Sequence, residues 1–192
     1  MGRVSQAQAQ QNRKRIVETA ARLFRERGVA GVSVADVMAE VGLTHGGFYK
    51  QFASKEALVA EAIGQAFGEQ GARLAAIGDD SGRAAFLDEY LSAAHRDAPG
   101  RGCPSAGFGG DLARLEPPTG KPAGPSADRD ARAAYADGVE SYARWLGRDG
   151  EPDLAALSTL VGAMILARAT AGTDVSDRIL DAARADIVRR AL

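Results

Sequence analysis

Apolar residues recur at helical intervals along most of the chain, and no segment alternates as a strand would. Ile16, Ala20, Leu23 and Phe24 mark one face of a predicted helix from Gln10 to Arg27, which Gly28 ends. Val34, Val37, Met38 and Val41 mark the next helix. Ser33 precedes it and Asp36 follows three residues later, the spacing of a capping box. Gly42 permits the left-handed backbone of a tight turn. A short helix is then predicted over His45–Phe52, with Thr44 as its cap. Phe48 and Phe52 share one face of it, His45, Lys50 and Gln51 lie opposite, and Tyr49 stands beside them. Ser54 caps a fourth helix, Lys55–Ile77, whose apolar face runs from Leu58 to Phe67 and which Gly64, Gly68 and Gly71 soften.

Further along, the pattern predicts helices over Gly82–Asp97, Pro104–Leu115, Ser126–Leu146, Asp153–Ala171 and Asp174–Arg190. Residues 116–128 hold four of the seven prolines and read as a loop. The fold class is therefore all-α, with about nine helices. The last two helices carry apolar faces flanked by small residues, which suits a close helix–helix interface or an internal hairpin.

Net charge is −1, which alone does not suggest a nucleic-acid partner. Its distribution does. Residues 1–55 hold nine Lys/Arg against four Asp/Glu, a balance of +5, and the rest of the chain carries −6. Arg13, Lys14 and Arg15 begin a helix, where the macrodipole disfavours them, so the cluster calls for another partner, and phosphate is the natural one. A short helix with a buried aromatic side and a basic, hydrogen-bonding side suits the major groove of DNA.

No apolar run is long enough to span a bilayer, the N-terminus has no apolar signal core, and a cytoplasmic location is expected. A single Cys excludes an internal disulfide, and two His with one Cys, far apart, suggest no metal site. No nucleophile–base pair or phosphate-cradling loop points to catalysis, and no cofactor is expected.

The segment GLTHGGFYKQFASKEAL, with RIVETAARLFRERGVAGVSVADVMAEVG before it, resembles the helix-turn-helix signature of the tetracycline-repressor (TetR/AcrR-like) transcriptional regulators. The likeness covers about Arg13 to Phe67 at the level of motif. It implies a DNA-binding head over residues 10–53 and a ligand-binding and dimerisation body over 54–192. It also implies a homodimer formed through the last two helices, double-stranded operator DNA as partner and a small-molecule inducer. On that resemblance Thr44, Tyr49 and Lys55 hold phosphates, His45, Gly46, Gly47, Lys50 and Gln51 face bases, and Arg13, Lys14 and Ser33 join the DNA-facing set. Gly46-Gly47 departs from the family's more usual residues and leaves base specificity open. An inducer between the body helices would meet Phe67, Phe86, Tyr90, Phe108, Tyr142, Trp145 and Met164, an apolar set.

Cys103 follows Arg101-Gly102 and immediately precedes a helix, a setting that favours a reactive thiolate, and the resemblance adds oxidant or electrophile sensing to its candidate roles. Two functional readings follow. The first is a DNA-binding regulator, a repressor released by an apolar ligand or by modification of Cys103. The second is a helical small-molecule-binding module with a weak or vestigial DNA-binding head.

Overall fold

The computed structural model describes residues 6–115, 127–148 and 151–191. Among these residues it contains ten α-helices and no strand. The loop predicted at 116–128, with its four prolines, lies outside the described residues except for Ala127 and Asp128, which already belong to a helix.

Three helices make the head: α1 (Gln6–Arg27), α2 (Val34–Glu40) and α3 (His45–Phe48). Gly28 ends α1 with φ +74° and Gly42 turns the chain after α2 with φ +70°, both in the region that favours glycine. The α3 segment is shorter than the predicted His45–Phe52. Regular helix stops at Phe48, although the Phe52 N–H still donates to the Phe48 carbonyl at 3.0 Å. Gly46 and Gly47 explain the weakness, since each glycine costs a helix interior about 1 kcal/mol relative to alanine.

The long α4 (Lys55–Ala75) leaves the head and enters the body. There the predicted Gly82–Asp97 helix proves to be two, α5 (Asp80–Tyr90) and α6 (Ala93–Arg96). Leu91 leaves helical geometry, and Ser92 caps the new start by accepting the His95 N–H at 3.2 Å. A 3-10 turn at Pro99–Arg101 leads into α7 (Pro104–Arg114). The remaining helices are α8 (Ala127–Leu146), α9 (Leu154–Ala169) and α10 (Asp174–Ala191).

Two apolar cores result. One gathers Ile16, Leu23 and Phe24 of α1, Val37 and Met38 of α2, Phe48, and Leu58, Ala62 and Ile63 of α4. It also takes in Phe108 and Leu112 of α7 and Ala131 of α8, so the head packs on the body through a shared apolar seam. The other joins Phe86, Tyr90, Leu91, Tyr142, Leu160, Met164, Leu180 and Ile187. Helices α4 and α8 pack along each other. Their approach depends on Gly138, where a methyl group would overlap the Phe67 ring.

Candidate nucleic-acid interface and effector cavity

The turn that presents α3 is built from local bonds. Ser33 Oγ accepts the Asp36 N–H at 3.1 Å, and the Ser33 N–H donates to Asp36 Oδ2 at 2.8 Å. The Ser33 hydroxyl also donates to that carboxylate, which is held below the usual carboxylate range by these bonds. Beyond the turn, the Leu43 N–H donates to the Met38 carbonyl at 2.9 Å. The underside of α3 is sealed: Phe48 and Phe52 are buried and stacked with centroids 5.3 Å apart. Burial of each ring removes about 1.5–3 kcal/mol of exposed apolar surface from water.

The outer side of α3 is open. Thr44, His45, Gly46 and Lys50 are exposed, and Gly47 and Gln51 are half-buried. The Tyr49 ring is 62% exposed, the largest such fraction among the exposed bulky hydrophobic side chains. It is propped edge-on by His45 at 5.6 Å and Phe48 at 5.1 Å, which orders an amphipathic ring that faces solvent. Thr44 caps α3 by backbone geometry alone, and its hydroxyl makes no cap hydrogen bond.

The basic residues divide into two groups. Arg13 donates to the Gln51 carbonyl and to Glu61, and its guanidinium lies 4.2 Å over the Phe52 ring. Arg15 donates to the Val41 carbonyl at 2.8 Å, just after α2. Lys55 Nζ donates to the Val29 carbonyl at 2.6 Å. These three cations therefore fasten the ends of α3, α2 and the α1–α2 loop. Lys14 reaches solvent, with 72% of its side chain exposed and Glu18 at 3.7 Å. Ser33 is committed to its capping box.

The body contains a cavity of about 430 Å³ lined by α1, α4, α5, α6 and the segment Pro99–Pro104. Phe86 and Tyr90 line it as expected of an apolar site, but Arg25, Glu69, Arg73, Glu89, His95 and Cys103 line it too. A second cavity of about 380 Å³ lies between α4 and α8, with Phe67 and Tyr142 in its wall, and Gln70 borders both. Phe108 lines a third, of about 710 Å³, where the head meets α7 and α8. Trp145 and Met164 line none of these three. Trp145 packs edge-on to Phe86 at 5.0 Å, and Met164 is fully buried in the body core.

Cys103 is a free thiol, 4% exposed, at the cap position of α7. Its backbone N–H donates to His95 Nε2 at 3.0 Å, which requires Nε2 to be unprotonated. The proton then sits on Nδ1, 2.7 Å from the Tyr90 carbonyl. Burial pushes the His95 pKa down, in agreement with a neutral ring. Burial likewise pushes Tyr90 and Tyr142 well above the ordinary phenol range; the Tyr90 hydroxyl lies against the Cys103 side chain, and the buried Tyr142 hydroxyl has no hydrogen-bond partner. Nothing in local spacing marks Arg25 and Gln70 as cavity residues, and His95 has no chemical partner near it in sequence; their only signal is polar character on helices patterned by apolar faces.

Residues 16–62 match the family model described as bacterial regulatory proteins, tetR family. The likeness to the TetR family rests on this segment of the chain. Among curated relatives, the chain is 41% identical over 59 residues to the HTH-type transcriptional regulator TtgR of Pseudomonas putida, covering 31% of this chain and 28% of that protein. It is 29% identical over 105 residues to the HTH-type transcriptional repressor DhaR of Mycobacterium sp. (strain GP1), covering 54% of this chain and 53% of that one. The chain thus spans about half or less of the length of these relatives. Over nearly its whole length it shares a fold with the reduced form of Escherichia coli NemR, with a TM-score of 0.70 at 20% identity, covering 93% of this chain and 96% of that one. The TetR-family match spans α2 and α3, where the open face around Tyr49 lies.

Proposed function

We propose that the chain is a homodimeric, ligand-responsive repressor that works in the cytoplasm by holding operator DNA. The outward face of α3 carries this reading: a propped, exposed Tyr49 beside exposed Thr44, His45 and Lys50, on a helix anchored by buried Phe48 and Phe52. Such a face offers hydroxyls and an ammonium to phosphates, and donors and an imidazole to base edges. Lys14 adds a phosphate contact from the exposed side of α1, more than two turns into the helix. Arg13 and Lys55 act at one remove, as positioning residues that fix the ends of the reading unit.

The dimer forms through α9 and α10. Leu154, Ile165, Leu166, Val175 and Val188 stand exposed on these two helices, an apolar set that a second copy would cover. No helix among the described residues is long and apolar enough to cross a membrane, which removes a bilayer-spanning role for that surface.

Release follows from a small molecule in the cavity or from modification of Cys103. The thiol shares the cavity wall with Tyr90, Pro104 and Arg25, and at 4% exposure an added oxygen or adduct displaces its neighbours. Anisotropy of a fluorescent duplex from the chain's own upstream DNA, taken across a salt series, tests the reading. Tight binding that falls steeply with salt, and that exceeds binding to a random duplex, supports a repressor. A flat salt response supports the alternative, a binding module with a vestigial head. Diamide treatment that weakens binding in the native chain, and leaves Cys103→Ser unaffected, assigns the thiol route.

A further inference from the structure

The charged wall of the 430 Å³ cavity does not suit an apolar inducer. We propose that this cavity takes a small organic carboxylate, anchored by the Arg25 guanidinium of the head. The proposal names the ligand class of the site in the repressor reading. Its binding arm stands without that reading, and its regulatory arm rests on it.

Arg25 carries the proposal. Its side chain is 7% exposed, yet its nearest carboxylate, Glu69, lies 3.8 Å away and is itself 45% exposed. The other bonds of the guanidinium go to carbonyls, Ala21 at 3.0 Å and Gly102 at 3.2 Å. A buried cation with one loose counter-ion is incompletely compensated. Burial pushes its pKa down, as incomplete compensation requires. A second guanidinium, Arg168, packs beside Gly102 and donates to the carbonyls of His95 and Arg96. The field at this end of the cavity therefore favours an anion.

Tyr90 contributes its ring to the cavity wall: the residue is 4% exposed, and its hydroxyl is buried against the Cys103 side chain. His95 supplies no competing charge, because both ring nitrogens are engaged and the ring is neutral. Of the two acids in the wall, Glu89 is bonded to Arg73, and Glu69 is also held by Gln65 at 3.0 Å. Glu69 therefore has a second partner to keep when a ligand takes its place on Arg25. Ala66, Phe86, Ala94 and Pro104 supply apolar wall for a ring or short chain.

The placement of Arg25 also gives the ligand a lever. It sits on α1, the helix whose Arg13 and Arg15 grip the carbonyls of Gln51 and Val41 at the ends of the reading unit. Twelve residues of helix separate Arg13 from Arg25, a rigid span of about 18 Å. A carboxylate that draws Arg25 into the cavity moves α1, and with it both fastenings of α2 and α3.

Isothermal titration calorimetry on the full chain, with benzoate, benzamide and inorganic phosphate as probes, tests the proposal. Benzoate should bind at least about tenfold more tightly than its neutral isostere or than phosphate. Arg25→Gln should abolish benzoate binding. Arg25→Lys, which keeps the charge without the planar fork, should weaken benzoate about tenfold and keeps the test decisive if the glutamine variant fails to fold; a folded Arg25 variant with unchanged benzoate affinity overturns the anchor. Equal affinity for benzoate and benzamide overturns the carboxylate class, as does phosphate matching benzoate, or no benzoate heat at about 10 mM. Added benzoate should also lower operator affinity. Benzoate binding that leaves DNA affinity unmoved overturns the α1 lever. A chain that binds no DNA refutes the repressor reading, while the calorimetry still decides the ligand class.

Discussion

The same substitution at two glycines should change stability in opposite directions. Gly138 of α8 faces α4, and a methyl there meets the Phe67 ring carbon nearest the backbone, which cannot swing aside without leaving its rotamer. Overpacking of this kind costs about 1–3 kcal/mol. The gain in helix propensity from Gly→Ala offsets about 1 kcal/mol. Gly138→Ala should therefore lose about 1 kcal/mol, with an upper bound near about 2 kcal/mol. Gly64 also lies inside a helix, α4, but a methyl there meets nothing within 4 Å. Gly64→Ala should gain about 0.5–1 kcal/mol through the unfolded chain. Urea unfolding followed by circular dichroism, at one protein concentration for all variants, reads both as midpoint shifts at constant slope. For a chain this long the two variants should differ by several degrees in Tm, at about 2–4 °C per kcal/mol. Phe67→Leu should rescue Gly138→Ala, giving a coupling of about 0.5–3 kcal/mol in a double-mutant cycle. If Gly138→Ala stabilises as much as Gly64→Ala, or if Phe67→Leu shows no coupling to it, the α4–α8 approach described above is wrong.

Lys50→Ala should weaken operator binding several-fold, lower the salt slope by about one and leave thermal stability unchanged, as anisotropy and a melting curve would show. Asp111→Ala should cost about 1–3 kcal/mol in a melt, because its Oδ2 accepts the Val29 N–H at 3.0 Å and joins α7 to the head. Asp111→Asn, which keeps an acceptor, should cost less. His95 has a folded-state pKa below its unfolded value, so the unfolded chain binds more protons in that window. Stability should therefore fall as pH drops from about 7.5 to about 5.5, and His95→Gln should flatten this slope in urea titrations at both pH values.

What the sequence reveals most clearly is what neighbours in the chain settle among themselves. The Ser33–Asp36 box, the Gly28 and Gly42 turns and the Ser54 cap involve residues within four positions of one another, and each forms as read. The break between α5 and α6 was not legible. Its apolar pattern continues through Leu91 and Ala94, while the break depends on the Ser92 cap and on His95 folding back on the Tyr90 carbonyl. Local spacing gives no sign of the intramolecular partners of Arg13 and Arg15, the carbonyls of Gln51 and Val41, because these lie 38 and 26 residues away. The cavity was anticipated from aromatics alone. Arg25 faces it only because α1 crosses the Pro99–Arg101 turn, a contact with no trace in local spacing.

The apolar seam between head and body bears on how specificity can be exchanged between related chains. Leu58, Ala62, Ile63, Phe108, Leu112 and Ala131 complete the core on which α1, α2 and α3 rest, and Asp111 tethers the α1–α2 loop. A recombinant that imports residues 10–53 alone would set a foreign block on an unmatched floor, leaving cavities or clashes under the reading unit. Substitutions on the outward face of α3 disturb none of that floor. New operator preferences should therefore be reached through point changes at His45, Gly46, Tyr49 and Lys50, while wholesale grafting of a head would succeed only when α4, α7 and the start of α8 travel with it.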